Sequence, residues 1–408
     1  MRRLRSQKSI RTAPDRVISL GPGLPAIPER LLLAHARGEV LFICGAGVSR
    51  PAGLPDFREL VVKVYEKLDS EVFNVISKVP SGICNQWKVD CSSLTTLQHA
   101  EVERFILGDY DVVLGMLERR LDDETRADSR VRLEVAQILE GNTDRPAPIH
   151  RALMRLADRG GMVSIVTTNF DRLLEHASRS PKPVAETYSL GAIPRPTRRT
   201  EFSGVLHIHG VLDNKKSRIS ELVLTDQDFG EFYLRRRVVP DFVYDAARLF
   251  NLVLIGYSAN DPPMRYLLSA VAADGSRFTD LKQRFTFVGA DNADPVLHED
   301  WKARGITPIH YDSGSKHRLL TATLERWADL SANAGNPKVI DTEIKRIVST
   351  ERALAPEEDK DLFDHFIRRS NESERVRLAG VASKAKADHG WLDAIVQISL
   401  EAVEGRSS

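Results

Sequence analysis

The chain has 408 residues, 42% hydrophobic and 28% charged, which suits a soluble globular protein of two or three folded units. Lys and Arg total 58 against 57 Asp and Glu, so the charge balance gives no argument for direct nucleic-acid binding. Three cysteines, Cys44, Cys84 and Cys91, exclude a disulfide framework and a four-cysteine zinc site, and fit a reducing cytoplasm.

Residues 1–24 open with MRRLRSQKSIRTAPDR, basic but without the apolar stretch of a secretory signal, and read as a solvated tail, the alternative being a contact arm for an acidic partner. No apolar run reaches the roughly 18 residues of a membrane helix. A helix is expected over about residues 27–37, closed by Gly38. Val40–Cys44 (VLFIC) is a continuous apolar run of the kind buried on both faces of a parallel sheet. The glycine-rich GAGVSRPAGLPDF follows, and helical spacing resumes over residues 58–68. Residues 70–95 read as irregular and polar, and 97–156 as helical in several pieces. Further buried strands are expected at 162–167, 205–208, 252–255, 285–288 and 306–310. Strands alternating with helices predict an α/β domain over residues 25–335: a Rossmann-like parallel sheet with helices on both faces and a helical insertion at about 97–156. Residues 336–408 carry no strand pattern and read as an appendage of amphipathic helices.

Ligands of a parallel sheet gather outside the carboxyl ends of its strands. Four predicted strand ends here carry unusual residues: Gly45-Ala46-Gly47-Val48-Ser49, Thr168-Asn169-Phe170-Asp171, His209-Gly210, and Gly256-Tyr257-Ser258-Ala259-Asn260-Asp261. Gly45 and Gly47 permit close backbone approach, and the N–H groups of such a loop can cradle an anion. The loop is neither a Walker motif, lacking G-K-[ST], nor G-x-G-x-x-G, since Arg50 replaces the third glycine. A ligand-free tight turn fits it as well. His209, with an ordinary pKa near 6.5, suits a general base at neutral pH. His207 has no third metal ligand nearby and reads as structural. Asn169 suits either catalysis or a cap on a helix starting at Phe170. Asp56 and Arg58 suit a surface ion pair, and Asp261 a cap before Pro262.

GAGVSRPAGLPDFR resembles the nucleotide-binding loop of the sirtuins through Gly45, Ala46, Gly47 and Ser49, then Gly53, Pro55, Asp56, Phe57 and Arg58. Thr167, Asn169 and Asp171 resemble the family's second hallmark, His209-Gly210 its catalytic histidine segment, and Gly256 and Ser258 its later Gly-x-Ser segment. The likeness runs in family order over roughly residues 25–330. It departs at the four zinc cysteines, since no cysteine follows Cys91. VLTDQDFGEFY and IGYSANDP are similar to bacterial sirtuin-like domains of antiphage defence proteins, which hydrolyse NAD. The resemblance implies NAD as substrate without a metal, Asn169 orienting ribose and water, and His209 taking a proton. It implies an NAD site formed by Gly45, Ala46, Gly47, Ser49, Asp56, Phe57, Arg58, Thr168, Asp171, Gly256, Ser258, Asn260 and Asp261. The expected reaction is cleavage of the nicotinamide–ribose bond, giving nicotinamide and linear or cyclic ADP-ribose, with NAD depletion as the effect. Two alternatives stand: a protein deacylase or ADP-ribosyltransferase, and a non-catalytic module binding NAD or ADP-ribose within an assembly. The implied partners are further copies of the chain first, a HerA-type ATPase second and a short Argonaute third, in the cytoplasm and away from membranes.

Overall fold

The computed structural model describes residues 15–80, 90–122, 129–140, 145–178, 186–190, 203–213, 216–257, 268, 271, 280–289, 295–314, 316–333 and 335–407. Two units separate, one over Val40–Ala328 and one drawn from both ends, Met1–Glu39 with Asp329–Ser408. In the two-ended unit, β1 (Val17–Ser19) and β2 (Ala26–Pro28) pair antiparallel. Its C-terminal part is four helices, Pro337–Ile347, Glu357–Arg369, Glu372–Lys384 and His389–Ser407. They close around Ile344, Phe363, Phe366 and Trp391, all buried, with the Phe363 and Trp391 rings 4.7 Å apart. Glu29, at the start of the N-terminal helix Glu29–Ala36, accepts from Arg368 Nε at 2.6 Å, which neutralises a carboxylate that burial alone would penalise.

The other unit is built on seven strands: β3 (Val40–Cys44), β4 (Ser164–Thr167), β5 (Thr187–Ser189), β6 (Gly204–His207), β7 (Asn251–Ile255), β8 (Arg284–Gly289) and β9 (Thr307–Tyr311). The sheet order is β5-β6-β4-β3-β7-β8-β9, and every neighbouring pair is parallel. Every residue of β3, β4, β6 and β7 is buried, as unbroken apolar runs require when helices cover both faces. Without the edge strand β5, the order is that of a doubly wound Rossmann sheet. The chain starts at β3, steps one way to β4 and β6, then returns to build β7, β8 and β9 on the other side. The order therefore reverses at β3, so β4 and β7 flank the place where such sheets bind ligands.

The helix Val238–Leu249 buries Val239, Phe242, Val243 and Ala246 in a core shared with Leu41, Ile43, Val166 and Leu254 of the strands. A second core gathers the insertion helices Thr96–Leu107, Tyr110–Leu121 and Arg130–Glu140 around Phe57–Leu68, through Val64, Tyr65, Phe105, Leu114 and Val135. Two expectations need correction. The stretch to residue 24 is not all solvated tail, because Val17–Ser19 is a strand with Ile18 buried. Residues 70–95 are not wholly irregular, because Ser70–Ile76 is a helix. Asp69 caps it by accepting from Val72 N at 3.1 Å, and Val72 and Ile76, one turn apart, are both buried. Among the described residues no helix is long and apolar enough to cross a membrane.

Candidate active site

At the reversal point the ends of β3 and β7 lock together through three glycines. Gly45 N donates to Ile255 O at 2.8 Å, and Gly47 N donates to Gly256 O at 3.0 Å. A Cβ on Gly45 would stand 2.8 Å from Gly256 O, and one on Gly47 2.8 Å from Gly256 Cα. Gly256 itself has φ of +74°, and a Cβ there would come within 2.6 Å of Val48 N. The glycines are thus required by backbone packing of one loop on another, before any ligand is considered. Gly256→Ala is expected to destabilise this unit and to lower its thermal midpoint clearly. Dye-monitored melting beside the parent checks it; an unchanged midpoint would mean that the two loops do not need this contact.

Asn169 follows β4 at this crevice. Its Nδ2 donates to Gly45 O at 3.1 Å and to Ser49 Oγ at 2.9 Å. A carbonyl can only accept, so the amide nitrogen must face Gly45, and Oδ1 is left without a hydrogen bond among the described residues. Ser49 Oγ in turn donates to Asp171 Oδ2 at 2.7 Å, while Asp171 Oδ1 accepts from Leu173 N at 3.0 Å. Asp171 is buried, so this relay fixes Ser49 and, through it, the Asn169 amide. Asn169 is not a helix cap: the next helix is Leu173–Ala177, and the side chain of Asn169 is spent on the glycine loop instead. Thr168 Oγ1 lies 3.0 Å from the hydroxyl of Tyr257, which donates to Cys44 O at 3.1 Å and ties β3, β4 and β7 together.

β6 contributes two histidines of opposite kind. His207 is fully buried, with Nδ1 2.8 Å from Asn169 O and Nε2 3.0 Å from Glu175 Oε1. Both partners are acceptors, so the ring must carry both protons to satisfy them. Burial works against that charge, but the Glu175 carboxylate, the Asn169 carbonyl and Asp171 outweigh it and raise the pKa. Burial likewise opposes ionised Glu175, and His207 and Thr187 overturn it, holding that carboxyl below its ordinary value. His207 is therefore a buried ion-pair partner that steadies the Asn169 backbone.

His209 follows β6 directly and is buried, with Nε2 2.6 Å from the Tyr233 hydroxyl. Burial pushes its pKa down to about 3, so the ring is neutral at neutral pH but a weaker base than an exposed imidazole. Its Nδ1 has no hydrogen-bond partner among the described residues.

The remaining expected site residues are placed as follows. Ala46 lies in the loop between Gly45 and Gly47 as the first residue of a short 3₁₀ turn. Asp56 caps Phe57–Leu68 in a reciprocal capping box with Glu59 and lies 3.3 Å from Arg50. Arg58 does not pair with it; its guanidinium binds the Val79 carbonyl and stacks 5.2 Å over Phe105. Phe57 meets Tyr110 edge to face at 6.3 Å. Asp56, Phe57 and Arg58 therefore anchor the glycine loop to the helical core. Ser258, Asn260 and Asp261 lie outside the described residues. Sequence reasoning missed Glu175, Tyr233 and Tyr257. Two of them had a local signal: Tyr233 stands in the VLTDQDFGEFY segment and Tyr257 in IGYSANDP, both already singled out.

The sheet order defines a Rossmann-type α/β protein whose polar strand ends meet at the reversal point. Residues 163–309 match the family model described as the SIR2-like domain, a span holding Asn169, Asp171, His209 and Gly256. The match to the SIR2-like domain thus covers residues 163–309 of the chain. The chain is similar to an uncharacterized protein, y4cA, of Sinorhizobium fredii (strain NBRC 101917 / NGR234), with 35% identity over 372 residues. That match covers 86% of this chain and 28% of the longer relative. A solved structure described as showing the mechanism and regulation of Sir2 enzymes aligns with a TM-score of 0.31 at 14% identity, over 73% of this chain and 96% of the other.

Proposed function

We propose that the chain is an NAD+ hydrolase that cleaves the bond between nicotinamide and ribose. The observation that carries this reading is the Asn169 amide, whose nitrogen is fixed by Gly45 and Ser49 so that Oδ1 is the atom left to act. Nicotinamide departs as a neutral ring and needs no acid. The ribose passes through an oxocarbenium-like state in which positive charge develops at the anomeric carbon. An amide oxygen held at that carbon stabilises the charge and accepts a hydrogen bond from the attacking water or a ribose hydroxyl. The glycine loop stands at the reversal point of the sheet, where Rossmann-type proteins take the pyrophosphate, although the Gly45 and Gly47 N–H groups are spent on the loop after β7. The water's proton passes to His209. Burial depresses that histidine in the ligand-free chain, and the two phosphate charges brought by NAD act in the opposite sense.

The biological reading is NAD depletion as an effector of antiphage defence. The appended helices then serve assembly, a homo-oligomer ahead of a docked HerA-type ATPase or a short Argonaute. Leu354, Val376, Val396 and Leu400, large apolar residues exposed there, support that role. The test is to incubate the full chain with NAD, with and without an acetyl-lysine peptide, and follow nicotinamide. A hydrolase releases it at the same rate in both. Asn169→Ala is expected to lose about a hundredfold or more of that rate. Release only with peptide would make the chain a deacylase, and an Asn169→Ala variant at the parent rate would remove the amide from the mechanism.

A further inference from the structure

The segment after the histidine begins as the helix Asp226–Phe229 and continues as one π-helical stretch, Gly230–Arg235. Such widened turns recur at functional sites. This one brings two rings, Phe229 and Tyr233, against His209, at centroid distances of 5.6 and 5.8 Å and steep angles of 80° and 65°. The two rings lie 5.4 Å from each other. The Tyr233 hydroxyl reaches Nε2 at 2.6 Å, and Val223 N donates to the His209 carbonyl at 2.8 Å. The imidazole is therefore fixed by two aromatic contacts and one hydrogen bond, all from the segment 223–233.

That segment is itself pinned from the helical insertion. Arg132, fully buried, donates from one guanidinium to Leu222 O at 2.7 Å, Asp228 Oδ2 at 2.7 Å and Glu118 Oε1 at 2.8 Å. Asp228 Oδ2 also accepts from Leu224 N and Thr225 N, at 3.0 and 2.9 Å. Arg119 holds Asp226 at 3.1 Å. An insertion about 100 residues upstream in sequence thus fixes Asp226 and Asp228, just ahead of the first of the histidine's aromatic contacts, Phe229.

We infer that Tyr233 is a positioning residue for His209. Its hydroxyl oxygen accepts the Nε2 proton, which fixes the tautomer whose unprotonated Nδ1 is the nitrogen that takes the water's proton. The insertion holds Tyr233 to this task through Arg132 and Asp228. This rests on the NAD-cleaving reading. As the anomeric carbon loses nicotinamide and gains the water oxygen, the water's proton moves to Nδ1, and the resulting imidazolium keeps its Nε2–H on Tyr233.

The test uses the full chain with ¹⁵N-labelled histidine, the His209 ring signals being assigned by their loss in His209→Ala. Two-bond ¹H–¹⁵N spectra report which ring nitrogen carries the proton. The parent is expected to show the Nε2–H form. Tyr233→Phe keeps the ring packing and is expected to lower kcat about tenfold at unchanged KM for NAD, with His209 no longer held in one tautomer. An Nδ1–H form in the parent would overturn the inference, as would a Tyr233→Phe variant with unchanged kcat and spectrum. A parent that leaves NAD intact would count against the hydrolase reading, while the parent spectrum would still decide the tautomer.

Discussion

His209→Ala is expected to reduce NAD cleavage by about 10²- to 10⁴-fold, the range a general base contributes. The loss should fall on kcat, because Asn169 and the glycine loop, proposed to hold the substrate, stand on other strands. Steady-state kinetics with nicotinamide release as the readout checks it, beside a circular-dichroism spectrum to show that the sheet persists. His207→Ala is not an equivalent control. It removes one half of a buried ion pair with Glu175 and withdraws the contact to the Asn169 carbonyl, so it acts on the fold before it acts on the chemistry. Activity retained by His209→Ala would move the base elsewhere.

The second large effect is on stability. Arg132→Met removes a guanidinium that is fully buried between Asp228, Glu118 and the Leu222 carbonyl. Methionine fills much of the space but takes the guanidinium charge away from the buried Asp228 carboxylate, which keeps its bonds from Leu224 N and Thr225 N. Breaking one side of a buried pair costs about 3–5 kcal/mol. That is a large fraction of the stability of an ordinary domain. Urea unfolding followed by the signal of the α/β unit should show a midpoint shifted well down. The Tyr233 cage should loosen together with it, because Phe229 is the residue after Asp228. A variant as stable as the parent would mean that the insertion is not what holds this segment.

Much of the α/β architecture was legible because it is written locally. Six of the seven parallel strands are short, largely apolar runs, and all six stand within two residues of their expected places. The strand that escaped, β5, is the three residues Thr187–Ser189 on the sheet edge, too short and too polar to give a pattern. Ser70–Ile76 escaped because seven residues with two buried positions give little periodicity, and its cap is an aspartate that also ends the preceding helix. The positions of Asn169 and His209 followed from the strand ends, but their partners did not. Ser49 and Asp171 are separated by 122 residues, and Arg132 and Asp228 by 96, so only the closed sheet brings them together. Asp171 and Ser49, which the resemblance implies as NAD contacts, bond to each other and fix the asparagine between loop and strand.

The most direct measurement of the central claim is made in ¹⁸O-labelled water. The purified full chain is given NAD as its sole substrate, and the products are separated and weighed by mass spectrometry. The account predicts equal amounts of nicotinamide and ADP-ribose from the parent, and a cleavage rate in Asn169→Ala lowered about a hundredfold or more. The ADP-ribose should carry one ¹⁸O, taken up at the anomeric carbon when water replaces nicotinamide. NAD recovered intact from the parent, or ADP-ribose formed without the label, would contradict it.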